Sequence, residues 1–333
     1  MLSKSKTLFT LVFSLFFLFQ AHAQIYASPK ALDQIKDGNT YVVVNNLNFP
    51  GSDEYYRVLK KYWTVTKGVE FLKASELAAK LKAGDSYFTM VTDYENYGSG
   101  GSATYTNYGS GGIAPSTNYG SGGSAAFYYL SLWVPTEKAL EEGRKLDIKN
   151  TNAIAGIYVA VHADIGKRIG IPVLDFDGGG HIANWNPGTF KNYIQRLNDA
   201  IQSGKRLSSD DKANKEQLKL LKNQTLYVPD ENFYTTSFSH KTEKYEDAEI
   251  AGLFKGYKSD YKVITSGELK DKILTDTEPF FYLIHVTQTN RGTITAVVNS
   301  RTGDIIYLSH HLTFSHNLSS SDLKDIYKFV DKD

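Results

Sequence analysis

Cysteine is absent from the 333-residue chain, which excludes disulfides, thiolate zinc sites, iron–sulfur clusters and cysteine nucleophiles. Charge of one sign is absent too. Lys and Arg number 37 against 36 Asp and Glu, a formal +1 at pH 7, whereas a dedicated nucleic-acid binder carries a basic excess. Nucleic acid is therefore not an expected partner. The one long apolar run, Leu8 to Phe19, is twelve residues broken by Thr10 and Ser14. At ~1.5 Å per residue it reaches ~18 Å as a helix, short of a ~30 Å hydrocarbon core. What is present is globular, with 41% apolar and 22% charged residues, and the length suits two domains.

That short run reads as the core of a secretory signal over residues 1–23. Lys4 and Lys6 form its charged start, and Ala21-His22-Ala23 places small residues before a cut at Gln24. Removing these two of the 37 basic residues leaves 35 against 36 acidic ones. No cysteine follows the run to carry a lipid, and no later segment is long and apolar enough to span a bilayer. The expected location is the periplasm, the cell surface or the medium. ATP and NAD are scarce there, so no cofactor is expected.

Beyond the signal, the chain reads twice. Ile35-Lys36-Asp37 leading to Tyr41-Val42 matches Leu221-Lys222-Asn223 leading to Tyr227-Val228, 186 positions later. Tyr62 with Val65-Thr66 matches Tyr261 with Ile264-Thr265, and Glu76-Leu77, Lys80 and Phe88 match Glu268-Leu269, Lys272 and Phe280. Each half gives an extended run (Thr40 to Val44; Leu226 to Val228), then a helix (Glu54 to Lys61; Glu246 to Tyr257). A short strand (Trp63 to Thr66; Tyr261 to Thr265) and a helix capped by Ser75 or Ser266 follow. An apolar strand (Tyr87 to Val91; Phe280 to Val286) leads to a hairpin, Val173–Asp177 with His181–Trp185 or Thr295–Asn299 with Ile305–Leu308. A final amphipathic helix carries Phe190, Tyr193, Ile194, Leu197 and Ile201, or Leu323, Ile326, Tyr327 and Val330. Ser319 and Asp322 form a capping box at the start of the last one. The predicted fold is α/β (α+β): two tandem duplicated units in β-α-β-α-β-β-β-α order, each a small mixed sheet with helices packed on it. The units span 24–203 and 217–333, joined by a polar linker over 204–216.

Two insertions mark the first unit. Residues 95–124 hold Asn-Tyr-Gly-Ser-Gly-Gly at Asn96, Asn107 and Asn118, a low-complexity tract with nine of the 27 glycines. Its Gly-x-Gly-x-x-Ala resemblance to a dinucleotide fingerprint lacks the following helix that would place an N-terminus on a pyrophosphate. Tyr97, Tyr108 and Tyr119 instead offer flat rings and hydroxyls to a sugar, a peptide or another copy of the loop. The second insertion, 136–170, is expected to be helical, since Ile154, Ile157, Tyr158, Val161 and Ile165 keep helical spacing, although Tyr158 to Val161 also alternates as a strand would.

For chemistry, Asp175 and Asp177 share one face of a presumed strand, with His181 beyond a Gly-Gly-Gly turn. Such a set suits a divalent cation or acid–base work, while Asp before glycines is also ordinary turn chemistry. His310, His311 and His316 are the densest histidine group. No His-Glu-x-x-His or Gly-x-Ser-x-Gly is present, and neighbouring histidines in a strand point to opposite faces.

Through Tyr62-Trp63-Thr64-Val65, Glu76-Leu77, Tyr261 to Thr265, Glu268-Leu269 and a signal ending Ala-x-Ala-Gln, the chain resembles uncharacterised exported two-repeat α/β proteins of Bacteroidota. That resemblance implies no activity, cofactor or catalytic residue. The expected function is an exported, non-enzymatic envelope or surface protein that binds a partner protein or polysaccharide. The alternatives are a metal-assisted hydrolase centred on Asp175, Asp177 and His181, and a structural protein that self-associates through the Tyr/Gly tract.

Overall fold

The computed structural model describes residues 25–96, 124–142, 151–159, 176, 182–204, 212–236, 242–288, 292–311 and 317–331. The fold is mixed α/β, built on two six-stranded sheets.

In the first unit, β1 (Ile25–Ala27) and α1 (Ala31–Ile35) lead into β2 (Asn39–Val44), α2 (Ser52–Tyr62) and β3 (Gly68–Lys73). A 3-10 turn then runs into α3 (Leu77–Lys80), followed by β4 (Ser86–Asn96), β5 (Ser124–Pro135), α4 (Glu137–Glu142), β6 (Thr151–Val159) and α5 (Pro187–Ser203). The sheet order is β1-β6-β5-β4-β2-β3. Here β2 runs parallel to β3 and β4, and the other neighbours are antiparallel.

The second unit opens with β7 (Lys212–Ala213), α6 (Lys215–Lys219) and β8 (Leu226–Pro229), then a separate hairpin of β9 (Tyr234–Thr236) and β10 (Thr242–Lys244). Next come α7 (Asp247–Leu253), β11 (Tyr261–Ile264), α8 (Ser266–Thr275), β12 (Phe281–Gln288), β13 (Gly292–Asn299), β14 (Ile305–His311) and α9 (Ser320–Val330). Its sheet order is β7-β14-β13-β12-β8-β11. Taken from β1 and from β7, the two sheets have the same succession of parallel and antiparallel neighbours. The register agrees as well. Tyr41 lies opposite Tyr87, and Tyr227 opposite Tyr282. Trp133, the partner of Tyr87, and Val298, the partner of Tyr282, each sit at a register shift in their strand.

This pairing corrects several expectations. In sheet order the places of β13 and β14 are taken by β5 and β6; of the expected 173–185 hairpin only Phe176, which is buried, and residues 182–185 lie among the described residues. Ile154, Ile157 and Tyr158 lie in a strand, not a helix. Ile154, Ala155, Ile157, Tyr158 and Val159 are all buried, and a strand covered on both faces shows no period of two. Phe88 pairs in rank with Leu283 rather than Phe280, because Tyr87 and Tyr282 set the register. The third strand of the first unit is Gly68–Lys73. Trp63 ends α2, its indole N–H donating to Thr40 Oγ1 at 2.8 Å and Thr66 Oγ1 at 3.1 Å. Neither Ser75 nor Ser266 caps a helix. The 3-10 turn at Ala74–Glu76 has no side-chain cap, and α8 is capped by Thr265 in a box with Glu268. The second unit also begins inside the stretch read as linker, where β7 pairs with β14 and Asn214 caps α6. The capping box of Ser319 and Asp322 stands as expected.

Helix α5 holds the units together. Asn186 caps it by accepting from the N–H groups of Gly188 and Thr189, Pro187 occupies its first turn, and Gly204 closes it with φ 61°. One stripe, Phe190, Ile194, Leu197 and Ile201, is fully buried over the first sheet, each side chain contributing ~1.5–3 kcal/mol. The other side meets the second unit. The Tyr282 hydroxyl donates to Asn192 Oδ1 at 3.0 Å, and Asn192 Nδ2 donates to the Ser300 carbonyl at 2.8 Å. Lys191 Nζ donates to the Ile273 carbonyl at 2.9 Å at the end of α8. Burial, then the charge of Lys61, holds the Lys191 amine below its ordinary pKa. Gly303 (φ 74°) sits so close that a Cβ there would lie 2.3 Å from the Asn192 carbonyl oxygen.

Candidate functional site

Tyr97, Tyr108, Tyr119, Asp175, Asp177 and His181 all lie outside the described residues, as does the signal segment 1–23. The described strands do show how the Tyr/Gly tract is carried. β4 and β5 stay in register from Tyr87 opposite Trp133 out to Asn96 opposite Ser124. On one flank β2 stops pairing at Phe88, and on the other the last described pair of β6 is Val159 with Tyr128, residues 160–175 lying outside the described ones. Asp93–Asn96 and Ser124–Phe127 pair with each other. At ~3.4 Å per residue, the β4–β5 pairing runs from Phe88, the last partner of β2, to Asn96, ~27 Å further. Residues 97–123 join its ends. In the second unit, residues 289–291 join β12 to β13, and β14 keeps pace to Thr293 opposite His311.

The histidines gather elsewhere than the sequence suggested. His285, Thr295 and Ser309 are direct cross-strand neighbours on one face of the second sheet, and Thr293 and His311 form the next row. His285, Thr293, Thr295 and Ser309 are all buried. His285 Nδ1 is 3.0 Å from Thr295 Oγ1. His311 Nε2 lies 3.0 Å from Ser309 Oγ and 3.2 Å from Asp322 Oδ1. Asp322 is buried and also accepts from the Ser319 N–H at 2.9 Å and its hydroxyl at 2.6 Å.

Ser309, His311 and Asp322 are the residue types of a hydrolytic triad, but their wiring is different. A triad needs the serine and the acid on opposite ring nitrogens, so that the base can take the hydroxyl proton. Here both meet Nε2. If Nε2 carries the proton for Asp322, Ser309 can only accept from it, so the serine is not activated. The set fastens β14 to the start of α9. His310 occupies the opposite face, opposite Ile294. Among the described residues no group of three or more His, Cys, Asp or Glu is placed to hold a metal ion.

A third polar cluster had no signal in the sequence because its members come from different units. The parallel strand β8 leads into a 3-10 turn, Asp230–Asn232, and β11 ends at Ile264, just before Thr265 and Ser266. Over these ends lies the segment that caps α5. Asn186 Nδ2 donates to Ser266 Oγ at 3.1 Å, and the backbone N–H of Asn184 donates to the Glu231 carboxyl. Burial pushes that carboxyl up to about 7. The Asn184 N–H opposes the shift, and the charge of Asp230, paired with Lys244 at 3.2 Å, adds to it.

No protein-family model matches the chain, and comparison with curated proteins and with solved structures finds no match. Among the described residues no helix is long and apolar enough to cross a membrane.

Proposed function

We propose that the protein is an exported, non-enzymatic envelope or surface protein that binds a partner protein or polysaccharide through the Tyr-bearing tract. The observation that carries this reading is that β4 and β5 stay paired out to Asn96 opposite Ser124, so that the tract spans the tip of a paired hairpin. A paired hairpin of this kind presents whatever lies at its tip. Tyrosine supplies large, rigid, amphipathic contact area at low entropic cost, and three of them at equal spacing suit a repetitive partner. The charge-poor sequence at Leu8 to Phe19 supports export. The same reading takes the two units as copies of one module, which the shared strand order, register and register shift support.

The test is co-sedimentation of the purified 24–333 chain with insoluble polysaccharides and its capture on immobilised peptides, beside a variant in which residues 97–123 are replaced by a short turn. Binding that disappears in the variant, with thermal unfolding unchanged, supports the reading. Binding that persists, or turnover of a glycan, peptide or phosphoester by the purified chain, overturns it. Sedimentation velocity of the two proteins separates partner binding from self-association.

A further inference from the structure

We propose that docking of β1 onto β6 and removal of the 1–23 leader exclude each other, so that the cut after Ala23 precedes closure of the first unit. This rests on the export reading and adds its timing. Only Gln24 separates the scissile bond from Ile25, the first residue of β1. Short as it is, β1 is built into the core. Ile25 is 3% exposed and Ala27 5%, and both belong to the apolar cluster that holds the buried stripe of α5. The strand pairs from Ile25 opposite Ile157 to Ala27 opposite Ala155, and the Ser28 N–H donates to the Ile154 carbonyl at 2.7 Å.

Between these two residues, Tyr26 lies opposite Gly156 and fills the space the glycine leaves: a Cβ on Gly156 would sit 2.6 Å from the Tyr26 ring. Burial raises the pKa of the Tyr26 phenol, and its hydrogen bond with Ser131, one strand further in, opposes that shift. The next residues are fixed as well, since α1 buries Ala31 and Ile35 completely. The cut is a hydrolysis. Water adds across the Ala23–Gln24 amide, leaving a carboxylate on Ala23 and an ammonium on Gln24. A peptidase holds its substrate as an extended segment, with main-chain bonds and side-chain pockets along it. Proteolysis therefore acts on the opened form of a folded chain. Ile25 and Ala27 cannot lie in a peptidase cleft and against the first sheet at once, and one residue at ~3.3 Å leaves no slack between the two places.

The second unit has no such conflict. β7 holds the same place at the edge of its sheet, and it follows α5 in the chain, far from the leader. Only the first unit places its edge strand beside the cut. A chain that folds before processing thus keeps its leader, and the balance between released and tethered protein follows the ratio of cutting to folding.

The experiment exposes the full 1–333 chain in detergent micelles to a purified signal peptidase, either straight from urea or after refolding. Cutting after Ala23 is expected to be at least tenfold slower in the refolded chain. A flexible Gly/Ser spacer of about ten residues between Gln24 and Ile25, which leaves β1 intact, restores the rate of the unfolded chain. Equal rates in the two states, or a spacer that restores nothing, overturn the proposal. No cutting after Ala23 in either state overturns the export reading and the proposal with it. Where the 1–333 chain does not refold in micelles, a soluble form decides, in which the leader is replaced by a site-specific protease sequence ending at residue 23. Slow cutting that the spacer relieves supports the proposal, and fast cutting without the spacer overturns it.

Discussion

The row Met90–Leu130–Ile157 crosses β4, β5 and β6 of the first sheet, and the row His285–Thr295–Ser309 crosses β12, β13 and β14 of the second. Counted from the paired Tyr87 and Tyr282, they are the same three places, one filled with apolar side chains and the other with polar ones. One topology accepts both because the polar row brings its own partners, Thr295 for His285 and His311 for Ser309. Where a fold does not demand polarity, polarity reflects something particular to that unit. Here it ties the sheet to the helix cap of α9 through Asp322.

The comparison can be broken most severely at the seam. Gly303→Ala puts a Cβ against the Asn192 carbonyl at a positive φ and is expected to cost about 3 kcal/mol, read by urea denaturation. Next is an exchange of rows. Leu130→Thr leaves a cavity and an unpaired hydroxyl in a fully buried place and costs about 3 kcal/mol. The reverse triple change, His285→Met with Thr295→Leu and Ser309→Ile, stays within about 1.5 kcal/mol of the parent. A triple variant that fails to fold would show that the two rows are not equivalent places.

Smaller effects sharpen the contrast at the turns. Burial pushes the Glu231 carboxyl from the ordinary 4.5 up to about 7 in the folded chain. A raised carboxyl pKa gives stability that is complete below 4.5 and lost as pH rises through 7. Glu231→Gln is therefore expected to be about 2 kcal/mol more stable than the parent at pH 8 and no more stable at pH 4, read from unfolding curves at both values. Last, Thr265→Ala removes a capping box and costs about 1 kcal/mol, while Ser75→Ala, where no side-chain cap exists, changes thermal unfolding by less than about 0.5 kcal/mol.

The amphipathic helices α2, α5 and α9 were legible because each leaves a polar face somewhere, and a period of 3.6 needs two kinds of surface to be seen. β6 was not, because burial on both faces erases alternation. Residues 173–185 carry the turn glycines of a hairpin, and local turn chemistry does not say which strands a sheet will pair. The second capping serine failed by one residue: Thr265 sits next to Ser266 and brings Glu268 within reach. Of the candidate sites, the histidines were visible as a cluster, but which ring nitrogen meets which neighbour is a fact of cross-strand register. Asn184 and Glu231 become neighbours only when the units dock, and no local pattern encodes that.

Helix α5 belongs by sequence to the first unit, yet its Lys191 and Asn192 bond to the second. During synthesis from the amino end, Lys191 and Asn192 emerge before Ile273, Tyr282 and Ser300, the residues that receive them. For that interval the first sheet wears a helix whose outer side is waiting for chain not yet made. The nascent protein thus carries a timed exposure that a holding chaperone could recognise, and that closes only when the last hairpin arrives.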